Sequence, residues 1–139
     1  MKLGTKARYA VTALVDLALH GKGEPMSLSE IALRQGISVQ YLEQIFVKLR
    51  RQGLVESVRG QHGGYLLSQP PECLNIAQIV QAVDESVQVT QCRPMDRKGC
   101  QGKTSRCLTH DLWAGLGRHI HGYLEQVSLR DVLCQGKEA

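Results

Sequence analysis

The sequence predicts a mainly α-helical protein with a small β-hairpin wing, that is, a winged helix-turn-helix followed by a long C-terminal dimerisation helix. Three observations lead to this prediction: two helix signals separated by a tight glycine turn, two short apolar runs joined by a glycine-rich loop, and a later apolar stripe of helical period. With 139 residues, 42% of them hydrophobic, the chain suits one compact domain, or a small domain plus an appended helix.

The first two predicted helices each present one apolar stripe to a shared core. The first is expected to be capped by Thr5 and to end at Gly21. Its apolar positions recur with the helical period at Ala7, Ala10, Val11, Leu14, Leu17 and Ala18. In the second helix, Ser27 and Glu30 have the spacing of a capping box, and Gly36 provides the stop.

A third helix and a hairpin complete the predicted DNA-binding module. Ser38 is placed to cap the helix, whose apolar face consists of Leu42, Ile45, Phe46 and Leu49. Two short strands, 54–58 and 65–67, then enclose a glycine-rich loop. This loop leads into a strand, whereas a nucleotide-type phosphate loop leads into a helix, so we exclude that motif. The hairpin predicts a wing, although a merely flexible tip is the alternative for Gln61 and His62.

The rest of the chain predicts a connecting helix and a helix for self-association. Asn75 and Gln78 can cap a helix with Ile76, Ile79, Val80 and Val83 on one side. The last long helix, near residues 108–127, carries an apolar stripe at spacings of three and four. Gly115 and Gly117 inside it cost about 1 kcal/mol each unless another backbone approaches closely. We therefore predict a dimer helix, with packing on the chain's own core as the alternative. The expected interface residues are Leu112, Trp113, Leu116, Ile120, Tyr123 and Val127.

These elements divide the chain into four predicted parts. Residues 1–70 form the winged helix-turn-helix, 71–90 the connecting helix, 91–110 a ligand-bearing loop, and 108–134 the dimerisation helix with a short C-terminal helix. The N-terminus lacks a signal peptide pattern, and no stretch reaches the length of a membrane span. We therefore expect a cytoplasmic protein that has no membrane partner.

The charge distribution favours a nucleic-acid partner for the first part. Residues 1–70 carry nine Lys and Arg against five Asp and Glu, whereas residues 71–139 carry eight against eight. A basic excess on one module is common in polyanion-binding proteins, although a solvated surface is the plain alternative. A two-fold symmetric dimer would present two recognition helices to double-stranded DNA, so we expect a near-palindromic operator.

Side chains of the third helix, the wing and the N-terminal helix are the candidate DNA contacts. Gln40 and Gln44 suit base edges, and Glu43 suits discrimination, since it repels phosphate yet accepts a hydrogen bond from cytosine. The predicted contact residues are Lys6, Arg8, Ser38, Gln40, Tyr41, Glu43, Gln44, Lys48, Arg50, Arg51 and Arg59. Most of the basic ones would hold phosphates.

A cysteine-rich segment, 91–110, is the candidate metal site. Cys92, Cys100, Cys107 and His110 are separated by seven, six and two residues, and one metal centre could gather all four. Nearby Arg and Lys residues favour thiolates, which are the competent ligands. A cytosolic chain with five cysteines is unlike a disulfide framework. Zinc often uses tight Cys-x2-4-Cys knuckles, which are absent, so we favour an iron–sulfur cluster and keep structural zinc as the alternative.

Two further cysteines and the enzyme alternative receive less weight. Cys73 and Cys134 have no partner at metal spacing, so we expect small buried or semi-exposed side chains without a role.

A thiol or metal enzyme that used Cys92, Cys100, Cys107 and His110 is the alternative class of function. However, the chain lacks a Cys-x-x-Cys redox pair and is too short to add a substrate cleft, so we predict that it is not an enzyme.

Several stretches together resemble the IscR family of iron–sulfur cluster regulators from residue 2 to about residue 134. They are RYAVTALVDLAL, SLSEIALRQGISVQYLEQIF, LRRQGLVESVRG, GGYLL, QAVDESV and CLTHDLW. The resemblance implies a homodimeric bacterial transcription factor, a repressor or activator, that controls cluster-assembly genes according to cluster occupancy. It also implies that Cys92, Cys100, Cys107 and His110 bind a [2Fe-2S] cluster.

The chain departs from that family's pattern in two places. Its ligand loops, of seven and six residues, are longer than those of the family, although added loop length costs little closure entropy. Gln61 and His62 stand where a proline and a glycine are usual, which concerns the contacts of the wing with DNA. Arg59 still matches the family pattern.

Overall fold

The computed structural model describes residues 4–83 and 108–138 of the chain. The elements are α1 (Thr5–Gly21), α2 (Leu28–Gln35), α3 (Val39–Arg51), β1 (Val55–Val58), β2 (Gly64–Leu67), a 3₁₀ turn (Pro71–Cys73), α4 (Ile76–Ala82), α5 (His110–Gln126) and α6 (Leu129–Glu138). A mainly helical fold with one antiparallel hairpin confirms the predicted class.

Helix α1 begins as predicted but is capped differently. The expectation that Thr5 caps it is wrong, because Thr5 is already the first helical residue and no side chain caps this end. Gly4 has an extended backbone, and its carbonyl accepts a hydrogen bond from the Arg8 N–H at 3.3 Å. At the other end, Lys22 adopts the left-handed conformation, with φ of 47°, and Gly23 follows with φ of 85°.

The helix-turn-helix forms through the local signals that predicted it. The Ser27 hydroxyl oxygen accepts from the Glu30 N–H at 3.3 Å, and Gly36, with φ of 66°, ends α2 by donating to the Ala32 carbonyl. The Ser38 hydroxyl oxygen then accepts from the Tyr41 N–H at 3.1 Å. On the inner side, α3 buries the four predicted residues Leu42, Ile45, Phe46 and Leu49.

A buried charge fixes α2 against α1. The side chain of Asp16 on α1 is fully buried and accepts three hydrogen bonds from the Arg34 guanidinium, one from Nη2 at 2.7 Å and two from Nε at 3.0 and 3.2 Å. The Gln35 amide donates to the same carboxylate at 2.7 Å. Because Arg34 and Gln35 are the last two residues of α2, this network fixes the point at which the chain turns towards α3.

The wing is anchored at both edges of β2. Strands β1 and β2 pair from Val55 opposite Leu67 to Val58 opposite Gly64. On its other edge, Tyr65 exchanges two backbone hydrogen bonds with Met26, at 2.8 and 2.9 Å. A Cβ at Gly64 would lie 2.3 Å from the Met26 carbonyl oxygen, so this close approach requires glycine. The wing is thereby joined to the segment just before α2.

The last two helices return to the N-terminal part of the chain. Asn75 and Gln78 form the predicted reciprocal capping box at the start of α4, which packs on α1, α3 and α5. Beyond α5, the Ile76 N–H donates to the Val127 carbonyl at 2.9 Å, and the Leu129 N–H donates to the Leu74 carbonyl at 2.8 Å. Leu129 is fully buried in the core that α1, α3 and α4 share.

In residues 4–83 and 108–138, no helix has the length and apolar character needed to cross a bilayer.

Candidate nucleic-acid interface and metal centre

The outer face of α3 is polar and exposed. Gln40, Glu43, Gln44 and Arg51 all lie at the surface, opposite the four buried side chains that anchor the helix. Val47, which is not one of the predicted DNA contacts, stands among them and is 38% exposed. The helical period predicts this exposure, because Val47 falls between Gln44 and Arg51 on the face of α3 opposite the core.

A basic groove of about 340 Å³ runs along one flank of α3. Its polar lining comes from Lys6 of α1 and from Tyr41, Gln44, Lys48 and Arg51 of α3, and its apolar lining comes from Ile45, Val47 and Val83. The Tyr41 ring packs edge-to-face on Tyr9 of α1, with 5.5 Å between centroids. Two helices therefore bring three cationic side chains to one surface. Arg8 is also exposed on α1.

Three of the predicted DNA contacts occupy other environments. The Ser38 hydroxyl is engaged as the cap of α3, so its oxygen already accepts one hydrogen bond. Arg50 lies on the opposite flank from the basic groove and donates to the Ser57 hydroxyl on β1 at 3.4 Å. Arg59 is exposed immediately after β1, at the base of the wing. Arg50 and Arg59 therefore belong to the wing side of the module.

The predicted metal ligands lie mostly outside the described residues. Cys92, Cys100 and Cys107 fall in the range 84–107, whereas His110 is the first residue of α5 and only 8% exposed. Asp16, on α1, is another buried polar residue among those that the structure describes. Within the described part of the chain, no three His, Cys, Asp or Glu side chains come together in a way that could hold a metal ion.

Cys73 and Cys134 are both exposed free thiols. Of the predicted alternatives, buried or semi-exposed, burial is wrong for both. Cys73 ends the 3₁₀ turn, and Cys134 lies on the face of α6 opposite Leu129 and Val132, which pack on the core.

An apolar face of α5 points away from the chain's own core. Leu112 and Tyr123 are 61% and 62% exposed, and Trp113 and Leu116 are more than a third exposed. Ile120 is partly buried, while Val127 packs against the core of its own chain. Beside this face, Gly115 and Gly122 leave a groove of about 460 Å³ along the helix, bordered by Arg118, His119, Tyr123 and Gln126.

Comparison with known proteins gives a family and several close relatives. The profile of the Rrf2 family, described as iron-dependent transcriptional regulators, matches residues 3–135. The HTH-type transcriptional regulator IscR of Photorhabdus laumondii is 50% identical over 133 residues, covering 96% of this chain and 79% of that protein. The structure of T. potens IscR matches with a TM-score of 0.79 at 35% identity, over 99% of this chain and 90% of that chain. CymR, the global cysteine regulator of B. subtilis, matches with a TM-score of 0.79 at 27% identity, over 97% and 98% of the two chains.

Proposed function

The chain belongs to the Rrf2 family of transcriptional regulators, and we propose that it binds promoter DNA as a homodimer and senses an iron–sulfur cluster. The IscR-type relatives confirm the resemblance found in the sequence, and their class is that of regulators rather than enzymes. The observation that carries the proposal is the exposed polar face of α3, which lies beside a basic groove and an anchored wing.

In the proposed complex, α3 enters the major groove of DNA. Gln40 and Gln44 contact base edges, and Glu43 discriminates among base pairs by accepting from cytosine and repelling phosphate. Lys6, Lys48 and Arg51 of the basic groove hold the phosphates on one side, with Tyr41 and Arg8 beside them. On the wing side, Arg59 contacts the neighbouring backbone, and Arg50 supports the wing through Ser57. Ser38 fixes the start of α3 through its hydroxyl oxygen, and its O–H remains a donor for a phosphate oxygen.

Self-association is assigned to the outward face of α5. Four apolar side chains exposed on one helix are unfavourable in water and are commonly covered by a partner. The groove at Gly115 and Gly122 offers room for a bulky side chain from a second copy, in keeping with the close approach that helical glycines allow. Leu112, Trp113, Leu116 and Tyr123 form the centre of this interface, with Ile120 beside them. Val127 lies at its edge, because it also packs on its own core.

The cluster ligands of the proposal are Cys92, Cys100, Cys107 and His110. His110 suits this role, since it is sheltered from water at the start of α5, three residues after Cys107. Thiolates hold iron–sulfur clusters and histidine can replace cysteine as a ligand, while three thiols and one imidazole also suit structural zinc, so zinc is the competing metal. When bound, the cluster would supply sensitivity to iron supply and to oxidants.

The position of His110 also supports a connection to DNA binding. Helix α5, which His110 begins, packs on α4, and α4 packs on α3. A change in how His110 and the start of α5 are held can therefore be transmitted to the recognition helix through two packed contacts. Such a contiguous path is compatible with a regulator whose operator choice depends on occupancy of the metal site.

Two measurements test the proposal. Protein purified without oxygen should be brown and contain iron and sulfide, and changing Cys92, Cys100 or Cys107 to Ala should bleach it. The exposed cysteines supply matched controls, because Cys73→Ala and Cys134→Ala should keep the colour. A colourless protein with stoichiometric zinc would remove the cluster from the proposal. DNA affinity should also fall steeply with salt, as expected when Lys and Arg displace counterions, and a flat salt dependence would remove the DNA interface.

A further inference from the structure

One apolar side chain stands in the polar stripe on the outer face of α3. Gln40, Gln44, Val47 and Arg51 follow one another at spacings of four, three and four residues, so they share one face of the helix. Val47 is 38% exposed, and the opposite face already supplies the buried contacts of α3. Val47 lines the basic groove beside Ile45 and Val83, so it forms part of the apolar wall of the surface that is proposed to face DNA.

We infer that Val47 is a specificity-determining residue that contacts the C5-methyl group of a thymine in each half-site of the operator. This inference rests on the proposed DNA binding by α3. In the major groove, thymine is the base of ordinary DNA that presents a methyl group, while other edges present hydrogen-bond donors and acceptors. A valine against a polar edge would displace water without replacing its hydrogen bonds, which is unfavourable. When Val47 packs against a methyl group, the removal of both apolar surfaces from water is favourable.

The chemistry of valine and its neighbours suits this contact. A β-branched side chain in a helix has one strongly preferred rotamer, so the two methyl groups of Val47 are held in place before DNA arrives. Valine also has a lower helix propensity than alanine, glutamine or lysine, so helix formation does not favour it on an exposed face. Gln44 precedes it by three residues, a rise of about 4.5 Å, which is close to a base-pair step of about 3.4 Å. We therefore expect the thymine next to, or one pair beyond, the base contacted by Gln44.

The test removes one methyl group at a time from the DNA. An operator is first obtained by selection from random duplexes with the full-length wild-type protein. Each thymine is then replaced by deoxyuridine, which lacks the C5-methyl group and keeps the same pairing edge. For the wild-type protein, replacing one particular thymine in each half-site should lower the affinity for DNA by roughly fourfold. This change corresponds to about 0.8 kcal/mol for one buried methyl group. Fluorescence anisotropy at fixed salt measures these affinities.

Two variants then assign the effect to a residue. Val47→Ala removes both γ-methyl groups and favours the helix, so it should fold normally and bind the thymine and deoxyuridine operators equally well. Val39→Ala is the matched control, since Val39 lies on the same helix, is 37% exposed and stands off the polar stripe. It should keep the fourfold preference for thymine.

Each outcome separates this inference from the proposed function. If wild type selects an operator but no thymine is sensitive to loss of its methyl group, the role of Val47 is overturned while DNA binding stands. If the preference survives in Val47→Ala, or is lost in Val39→Ala instead, the assignment to Val47 is likewise overturned. If wild type selects no sequence at all, the proposed function fails together with the inference.

Discussion

The buried Asp16 carboxylate gives a prediction about which partner of an ion pair matters more for stability. The side chain of Asp16 is fully buried, whereas that of Arg34 is 33% exposed. Removing Arg34 would leave a buried carboxylate with the Gln35 amide as its remaining side-chain partner in this network. Removing Asp16 would leave a guanidinium that water can reach. We therefore expect Arg34→Ala to destabilise the protein more than Asp16→Ala does.

The size of the effect follows from the burial of Asp16. Leaving one member of a buried ion pair without its partner costs about 3 to 5 kcal/mol, and the Gln35 hydrogen bond at 2.7 Å offsets part of this for Asp16. We therefore expect the loss in Arg34→Ala to fall below this range and to exceed the loss in Asp16→Ala. The double variant Asp16→Ala/Arg34→Ala should be more stable than Arg34→Ala alone, because it no longer contains the unpaired buried charge.

The same carboxylate makes stability depend on pH. Burial by itself would raise the pKa of Asp16, but the hydrogen bonds from Arg34 and Gln35 and the positive charge of Arg34 outweigh it, so the pKa lies below its usual value. A lowered pKa means that the contribution is fully present above the unfolded-state value of about 3.9 and is lost as pH falls through the folded-state value. The stability difference between wild type and Asp16→Asn should therefore shrink on acidification below about pH 4.

Urea unfolding followed by circular dichroism measures all of these differences. The metal-free forms should be compared at one protein concentration, since metal binding and dimerisation both stabilise a folded state. Equal losses for Arg34→Ala and Asp16→Ala, together with an additive double variant, would refute the reasoning. That result would mean that the carboxylate is no more dependent on its partner than the guanidinium is.

Three more predictions concern the wing, the dimer and selectivity. Gly64→Ala should lower stability by about 2 kcal/mol in thermal unfolding, because the new Cβ would overlap the Met26 carbonyl; an unchanged melting temperature would contradict this packing. Leu116→Asp should convert a dimer to a monomer in light scattering by placing a charge in the proposed interface, while Leu19→Asp, on the equally exposed surface of α1, should leave the dimer intact. Glu43→Ala should broaden the set of operators recovered by selection from random DNA, and identical selected sequences would show that Glu43 does not discriminate.

Features that depend on neighbouring residues in sequence could be predicted, since their signals are local. Ser38 and the apolar residues of α3 lie within one helix, and Asn75 caps a helix through Gln78 three residues away. Helical period and capping chemistry therefore sufficed for α2, α3 and α4. The face of α3 that bears Gln40 and Gln44 follows from the same period, which also should have drawn attention to Val47.

Features that depend on contacts distant in sequence could not be predicted in this way. Asp16 and Arg34 are 18 residues apart, and a single aspartate in an apolar helix gives no sign of which cation will meet it. The pairing of Met26 with Tyr65 and the docking of Leu129 on Leu74 likewise need a three-dimensional arrangement. The exposure of Cys73 and Cys134 escaped prediction because the burial of a small side chain depends on which face of its element the rest of the chain covers.

The return of α6 to the N-terminal helices has a consequence for how the protein responds to its ligands. Leu129 shares one core with residues of α1, α3 and α4, so the part of the chain proposed to bind DNA and the part proposed to dimerise should unfold in one cooperative transition. Any ligand that binds only the native chain then raises the melting temperature of the entire protein, whether the ligand binds at α3 or at α5. DNA, a second subunit and a metal would therefore each protect α3 amides from hydrogen exchange, including those that none of them touches.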